Sequence, residues 1–214
     1  IHGDGVDFRV WAPRSKKVDV VSEDAHPSHA LRDQGNGYFG GRVAGVGEGF
    51  RYKFRLDGDP EKVFPDPASR FQPEGPFGAS QVVRSEYAWT NGKWDGLPLA
   101  GQILYEMHIG TFTPQGTWRA ASEQLAELAS AGITVVEVMP VADFPGRFGW
   151  GYDGVNLFAP TRLYGTPDDF RAFVDSAHGH GIGVILDVVY NHLGPDGNFL
   201  GAFSEDYFST RYST

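Results

Sequence analysis

Two apolar stretches, Ile133–Met139 and Ile182–Tyr190, constrain this chain more than any other feature. The first is interrupted only by Thr134 and Glu137, and the second only by Gly183 and Asp187. Strands that alternate apolar and polar residues have one wet face. A nearly continuous run predicts a strand covered on both faces, which is the habit of parallel sheets. Between the two runs lies a helix with its own start signal. Thr166 is the N-cap, Pro167 opens the first turn, and Asp168 and Asp169 face the positive end of the helix dipole. Phe170, Phe173, Val174 and Ala177 form its inner stripe, and Gly179 and Gly181 end it. A further strand is predicted over Ile103–Ile109. A helix follows it, with Trp118, Ala121, Leu125 and Leu128 at helical spacing and Gly132 as its stop. The order is βαβαβ, with the last strand leading into Asp187-Val188-Val189-Tyr190-Asn191-His192.

Before residue 97 the chain has a different character. Short runs with period-two alternation are separated by Gly, Pro, Asn and Asp. Strands are expected at Val6–Ala12, Lys17–Ser22, Gly37–Val43, Phe50–Leu56 and Gln81–Val83. In this pattern Trp11 reads as sandwich core. Residues 57–80 read as a Pro- and Gly-rich surface loop. Residues 87–98, with Trp89, Trp94 and Pro98, read as a linker. The expected organisation is therefore an all-β, immunoglobulin-like sandwich over residues 1–97 followed by an α/β unit over residues 98–214. Three parallel strands close nothing; a (β/α)8 TIM barrel needs eight strands and roughly 250 residues. The periodicity leaves two readings open, a small open sheet or the first three βα units of a truncated barrel.

Composition removes several function classes. The net charge is −9 and the densest basic stretch is Arg14-Ser15-Lys16-Lys17, which argues against nucleic acid as a partner. There is no cysteine, hence neither disulfide nor thiolate chemistry. No apolar run reaches the roughly 18 residues of a membrane span. Ile1–Gly5 carries no signal-peptide core, so the cytoplasm is the default expectation, and an opening residue other than Met is what a fragment would show. Gly45-Val46-Gly47-Glu48-Gly49 has the wrong spacing for a phosphate loop.

The polar residues that leave the third predicted strand are the strongest chemical signal, because parallel barrels work at the C-terminal ends of their strands. On chemistry alone, Asp187 and His192 could equally be a local cap and an ordinary loop histidine. The Gly149-Trp150-Gly151-Tyr152-Asp153-Gly154 segment could be a sugar-stacking loop or simply a glycine-rich turn with buried aromatics. His178 and His180 read as favourable charges at a helix C-terminus rather than a metal pair. His108 and Glu106 read as core or supporting groups. No cofactor and no metal site is expected.

Asp187-Val188-Val189-Tyr190-Asn191-His192 resembles the first conserved region of glycoside hydrolase family 13, the α-amylase superfamily. Gly151–Gly154, Phe158-Ala159-Pro160 and Tyr164-Gly165-Thr166-Pro167 are similar to that family's neighbouring stretch. Phe8-Arg9-Val10-Trp11-Ala12-Pro13 resembles the opening strand of the immunoglobulin-like domain that precedes the barrel in some members. The resemblance implies a TIM barrel and an α-glucan substrate. It implies that Tyr152 stacks under the glucose at subsite −1 and His192 hydrogen-bonds it. Asp187, Asn191 and Asp153 become supporting residues. Tyr105–Thr113 and Pro65–Pro76 favour the trehalose-releasing hydrolases of the family, acting on maltooligosyl-trehalose, over its glucan branching enzymes. The family's nucleophile and acid/base follow later barrel strands, so both are expected beyond Thr214. No catalytic carboxylate is expected within this chain, and the 214 residues alone are expected to be inactive. A non-catalytic glucan-binding module built on the sandwich is the reading from another class.

Overall fold

A computed structural model describes residues 1–23, 27–209 and 211. Thr214, the boundary beyond which the nucleophile and acid/base are expected, lies outside the described residues. The first part of the molecule consists of β1 (Gly5–Trp11), β2 (Val18–Ser22), β3 (His29–Ala30), β4 (Arg32–Asp33), β5 (Tyr38–Ala44), β6 (Arg51–Leu56), β7 (Val63–Phe64) and β8 (Ser80–Gln81). They make two antiparallel sheets, β1-β5-β4 and β3-β2-β6-β7, with β8 also pairing with β6. Alternation explains the sandwich. In β6, Tyr52, Phe54 and Leu56 are buried while Arg51, Lys53 and Arg55 reach outward. Phe8, Val10, Val18, Val20, Val43 and Phe54 meet in one core, where full burial of Phe54 contributes about 2–3 kcal/mol. The expected strands are present with ends shifted by at most one residue, except the last, which is the two-residue β8.

Two expectations for this part need correction. Trp11 is half-buried rather than core: its indole N–H donates to the Asn36 carbonyl at 3.1 Å and its ring stands edge-on to Tyr207. The 57–80 segment is not a loose surface loop. Gln72 is fully buried, and its Oε1 accepts from Ser69 Oγ at 2.8 Å and Ser80 Oγ at 2.7 Å. The segment is held because a buried side-chain amide needs its partners.

The second part begins with β9 (Leu104–Met107). It continues with α1 (Ile109–Phe112), α2 (Trp118–Ser122), α3 (Leu125–Ser130), β10 (Val135–Val138), β11 (Ala142–Asp143), β12 (Asn156–Pro160), α4 (Pro167–Gly179), β13 (Gly183–Leu186) and α5 (Leu200–Phe203). β9, β10 and β13 form a parallel sheet in the order β13-β10-β9. α4 starts as predicted: Thr166 Oγ1 accepts from the Asp169 N–H while the Asp169 carboxylate accepts from the Thr166 N–H, a reciprocal capping box. Phe173 and Ala177 of α4 pack with Trp118, Met107, Val136 and Val138, and Trp118 lies parallel to Phe170 at 4.1 Å.

Three expectations for this part change. The Ile103–Ile109 strand is β9 only, since Ile109 already opens α1. The single helix read from Trp118 to Leu128 is two, α2 and α3; Ser122 Oγ turns back to the Trp118 carbonyl at 2.9 Å. The Ile182–Tyr190 run is not a strand covered on both faces. β13 is an edge with β10 as its neighbour, and Ile185 and Leu186 are 43% and 40% exposed. Register places Leu104, Glu106, Val135, Glu137 and Ile185 on one sheet face, with Met107, Val136, Val138 and Val184 on the helix-packed face. The first of these faces is open, and Leu104 on it is 53% exposed. α5 crosses back: Phe203 is buried in the sandwich core against Phe54 and Phe64.

Candidate active-site mouth

Three segments converge where the parallel strands end. His108 directly follows β9, the loop carrying Tyr152 follows β10, and Asp187 directly follows β13. The Tyr152 hydroxyl donates to Asp187 Oδ2 at 3.4 Å. His192 Nε2 donates to the Tyr152 carbonyl at 2.9 Å, while its Nδ1 accepts from Asn191 Nδ2 at 2.9 Å. That pattern sets the imidazole tautomer with its proton on Nε2. The four residues Tyr152, Asp187, Asn191 and His192 therefore form one chain of hydrogen bonds across 40 sequence positions. Desolvation first, and then the Asp187 carboxylate, push the Tyr152 phenol above its ordinary pKa. Glu106 and Glu137 from the open sheet face push it the same way.

Glycine makes the convergence possible. A Cβ on Gly151, whose φ is +90°, would stand 1.8 Å from the Pro140 carbonyl, and one on Gly194 would stand 2.3 Å from the Asp153 carbonyl. Both loops approach their neighbours through bare backbone. Asp153 is exposed and lines a pocket of about 210 Å³ with Phe148, Gly149, Pro195 and Asp196, a different one from that lined by Asp187. Tyr190, 71% exposed, lines the Asp187 pocket beside Phe158 and Phe170.

The contacts that hold the mouth in place were not legible in the sequence, although His108 and Tyr164 both stand in segments that resemble the family. His108 Nε2 lies 2.8 Å from the Tyr164 hydroxyl and 3.0 Å from the Gly149 carbonyl, and its Nδ1 is 3.0 Å from Thr111 Oγ1. His108 thus ties β9 to the Tyr152 loop, a supporting place that fits its reading from sequence. Burial lifts the Tyr164 phenol to about 12, which keeps it a hydrogen-bonding hydroxyl. Arg162 donates to Asp143 Oδ1 at 2.8 Å and to the Phe144 and Gly146 carbonyls, clamping the start of the same loop. Asp143 is fully buried, and its burial holds the carboxyl above the usual range against the pull of Thr161 and Arg162. His178 and His180 do not converge on a shared ligand. His178 stacks on Trp94 at 4.2 Å, and His180 bonds the Ser176 carbonyl.

Residues 62–211 match the sequence model of the alpha amylase catalytic domain, and residues 1–69 match carbohydrate-binding module 48, the isoamylase N-terminal domain. This chain belongs to the α-amylase family. It is 45% identical over 213 residues to a malto-oligosyltrehalose trehalohydrolase of Deinococcus radiodurans, covering 99% of this chain and 34% of that protein. It is 43% identical over 211 residues to the enzyme of the same name from Saccharolobus solfataricus, covering 99% and 37%. A Salmonella typhimurium crystal structure, assigned as an alpha amylase, superposes with a TM-score of 0.93 at 48% identity over the whole of this chain and 36% of that one. The chain thus spans about a third of the length of the curated relatives it matches. The two models match in chain order, the carbohydrate-binding module over the antiparallel sheets and the catalytic domain over the parallel sheet.

Proposed function

We propose that the whole protein is a retaining glycoside hydrolase that cleaves the α-1,4 bond next to the terminal trehalose of a maltooligosyl-trehalose. In this reading the β9-β10-β13 sheet is the first part of a (β/α)8 barrel, and its open face is barrel interior. The hydrogen-bonded set of Tyr152, Asp187, Asn191 and His192 at the strand ends carries the proposal, together with the names of the two curated relatives. Tyr152 offers an aromatic face to the sugar at the cleavage site. His192 offers Nε2–H once the substrate displaces the Tyr152 carbonyl. Asp187 fixes the Tyr152 ring, and Asn191 fixes the His192 tautomer. Asp153 supports the loop. Retaining hydrolysis needs two carboxyl groups roughly 5–5.5 Å apart, one as nucleophile and one as acid/base. We place both in the part of the protein that follows Thr214.

Incubating the full-length protein with maltotriosyl-trehalose and resolving the products tests this. Release of free trehalose is expected, with none from residues 1–214 alone. New α-1,6 linkages without trehalose would instead assign glucan branching, and an unchanged substrate would reject both.

A further inference from the structure

His192 sits on a span that does not hold itself. At its start, the Asp187 N–H donates to the Val138 carbonyl at 2.9 Å and ties the chain to β10. Among the described residues, no backbone–backbone hydrogen bond involves residues 188–193. Gly194 then donates to the Gly154 carbonyl at 3.2 Å, a bond from one loop to another. The His192 ring has its own bond to the Tyr152 carbonyl, but a sugar must replace that bond to reach Nε2–H. With a sugar in place, the direction of the ring is set by its backbone and by Asn191 beside it. A segment with so few internal bonds takes its position from where its ends are fixed.

The far end is fixed in the sandwich. Gly197, with φ +79°, passes so close to Pro76 that a Cβ on it would stand 2.6 Å from the Pro76 Cβ. Asn198 Oδ1 accepts from the Leu200 N–H at 3.1 Å and turns the chain into α5. The Phe199 ring meets Phe64 at 5.5 Å and Phe77 at 5.9 Å between centroids. Phe203 is 1% exposed and stands edge-on to Phe54 at 6.4 Å and to Phe64 at 6.2 Å. A close-packed core accepts such a ring in one arrangement, which fixes the backbone that carries it. None of these rings lines the Asp187 pocket.

We propose that Phe203 is a positioning residue for His192: its ring, seated in the sandwich core, holds the span that aims the imidazole at the sugar. The sandwich then has a part in the reaction without touching the substrate. This rests on the glycosidase reading above, in which His192 hydrogen-bonds the sugar at the cleavage site.

The test uses full-length protein carrying isotope-labelled histidine. Phe203→Leu keeps an apolar plug but changes its shape. Val43→Ala thins the same core from β5 and controls for lost stability. Two quantities are read: kcat/KM for trehalose release from maltotriosyl-trehalose, with and without His192→Ala, and the NMR signals of the His192 ring, assigned by their loss in His192→Ala. Phe203→Leu is expected to lower kcat/KM roughly threefold to tenfold, because small displacements of a sugar-contacting group are costly. In the His192→Ala background the same change is expected to matter less than about twofold, since its effect passes through the imidazole. The ring signals are expected to shift in Phe203→Leu and to stay in place in Val43→Ala. An equal loss with and without His192, a matching loss in Val43→Ala, or unshifted ring signals in folded Phe203→Leu overturns the proposal. If Phe203→Leu does not fold, Phe199→Ala takes its place. Undiminished trehalose release by His192→Ala would reject the sugar-binding role of His192, and the ring signals would still decide whether Phe203 positions it.

Discussion

The sandwich and the parallel sheet solve the same problem with different completeness. In the sandwich, Val18, Val20 and Phe54 are fully buried, and even a distant helix contributes Phe203 to the closure. In the parallel sheet, the helix-packed face is dry at its centre, where Val136, Val138, Trp118 and Phe173 are fully buried, while Tyr105 and Leu186 on the two flanking strands are partly exposed. The opposite face is wet, with Leu104 and Ile185 uncovered and Glu106 and Glu137 beside them. Apolar sequence alone therefore does not tell whether a strand is covered. It tells that the strand is built to be covered. A sandwich finds its second layer within about a hundred residues, whereas under the proposed barrel reading β9, β10 and β13 would wait for strands far along the chain.

The comparison can be broken most forcefully by truncating one residue on each side. Phe54→Ala should cost about 3–5 kcal/mol in urea unfolding, because nothing can refill that core. Ile185→Ala in the 214-residue chain should cost under about 1 kcal/mol. The same change in the full-length protein should cost about 2–5 kcal/mol if later strands cover β13. Equal costs for Ile185→Ala in both lengths would mean that the open face stays open.

At the mouth, His192→Ala in the full-length protein should lower kcat/KM roughly 10- to 100-fold, the worth of a hydrogen bond made to the reacting sugar. Melting should move little, since His192 is exposed. A purely structural histidine would show the opposite split.

The two regions meet through a latch whose pH response can be worked out. The Asp175 carboxylate accepts from the Thr90 N–H and hydroxyl and from the backbone and side-chain amides of Asn91, and Trp94 stacks on His178. The Thr90 backbone donor first, and then the side chains of Thr90 and Asn91, hold Asp175 below its ordinary pKa despite burial. Its contribution is present above the unfolded value of about 3.9 and lost as pH falls through the folded one. Burial lowers the His178 pKa against the opposing charge of Asp175. Its contribution is complete above the unfolded value of about 6.5 and declines as pH falls toward the folded one. Both signs agree, so Trp94 emission should report loosening of the 87–94 segment in two acid steps. Asp175→Asn should remove the lower one.

The smallest effect is expected at the surface. Arg14 and Glu205 pair at 2.9 Å but both stand in solvent, so Arg14→Ala should change stability by less than about 1 kcal/mol.

What was legible in the sequence follows the range of the forces involved. The Thr166–Asp169 capping box and the period of β6 are local, and both are where the residues said they would be. The segments around Tyr152 and His192 were left open by their chemistry and became a candidate site through their resemblance to the α-amylase superfamily; the structure brings them into one hydrogen-bonded chain. His108–Tyr164 and Arg162–Asp143 span 56 and 19 positions, and neither partner carries a mark of the other. The exposed face of β13 was missed for the same reason: coverage is a property of the neighbours, not of the strand.

The most direct test is a crystal structure of the full-length protein soaked with trehalose. The account predicts one sugar ring stacked on Tyr152 with a hydroxyl on His192 Nε2, inside a closed barrel that covers Leu104 and Ile185. Sugar bound elsewhere, with the His192–Tyr152 hydrogen bond intact and the sheet still open, would contradict it.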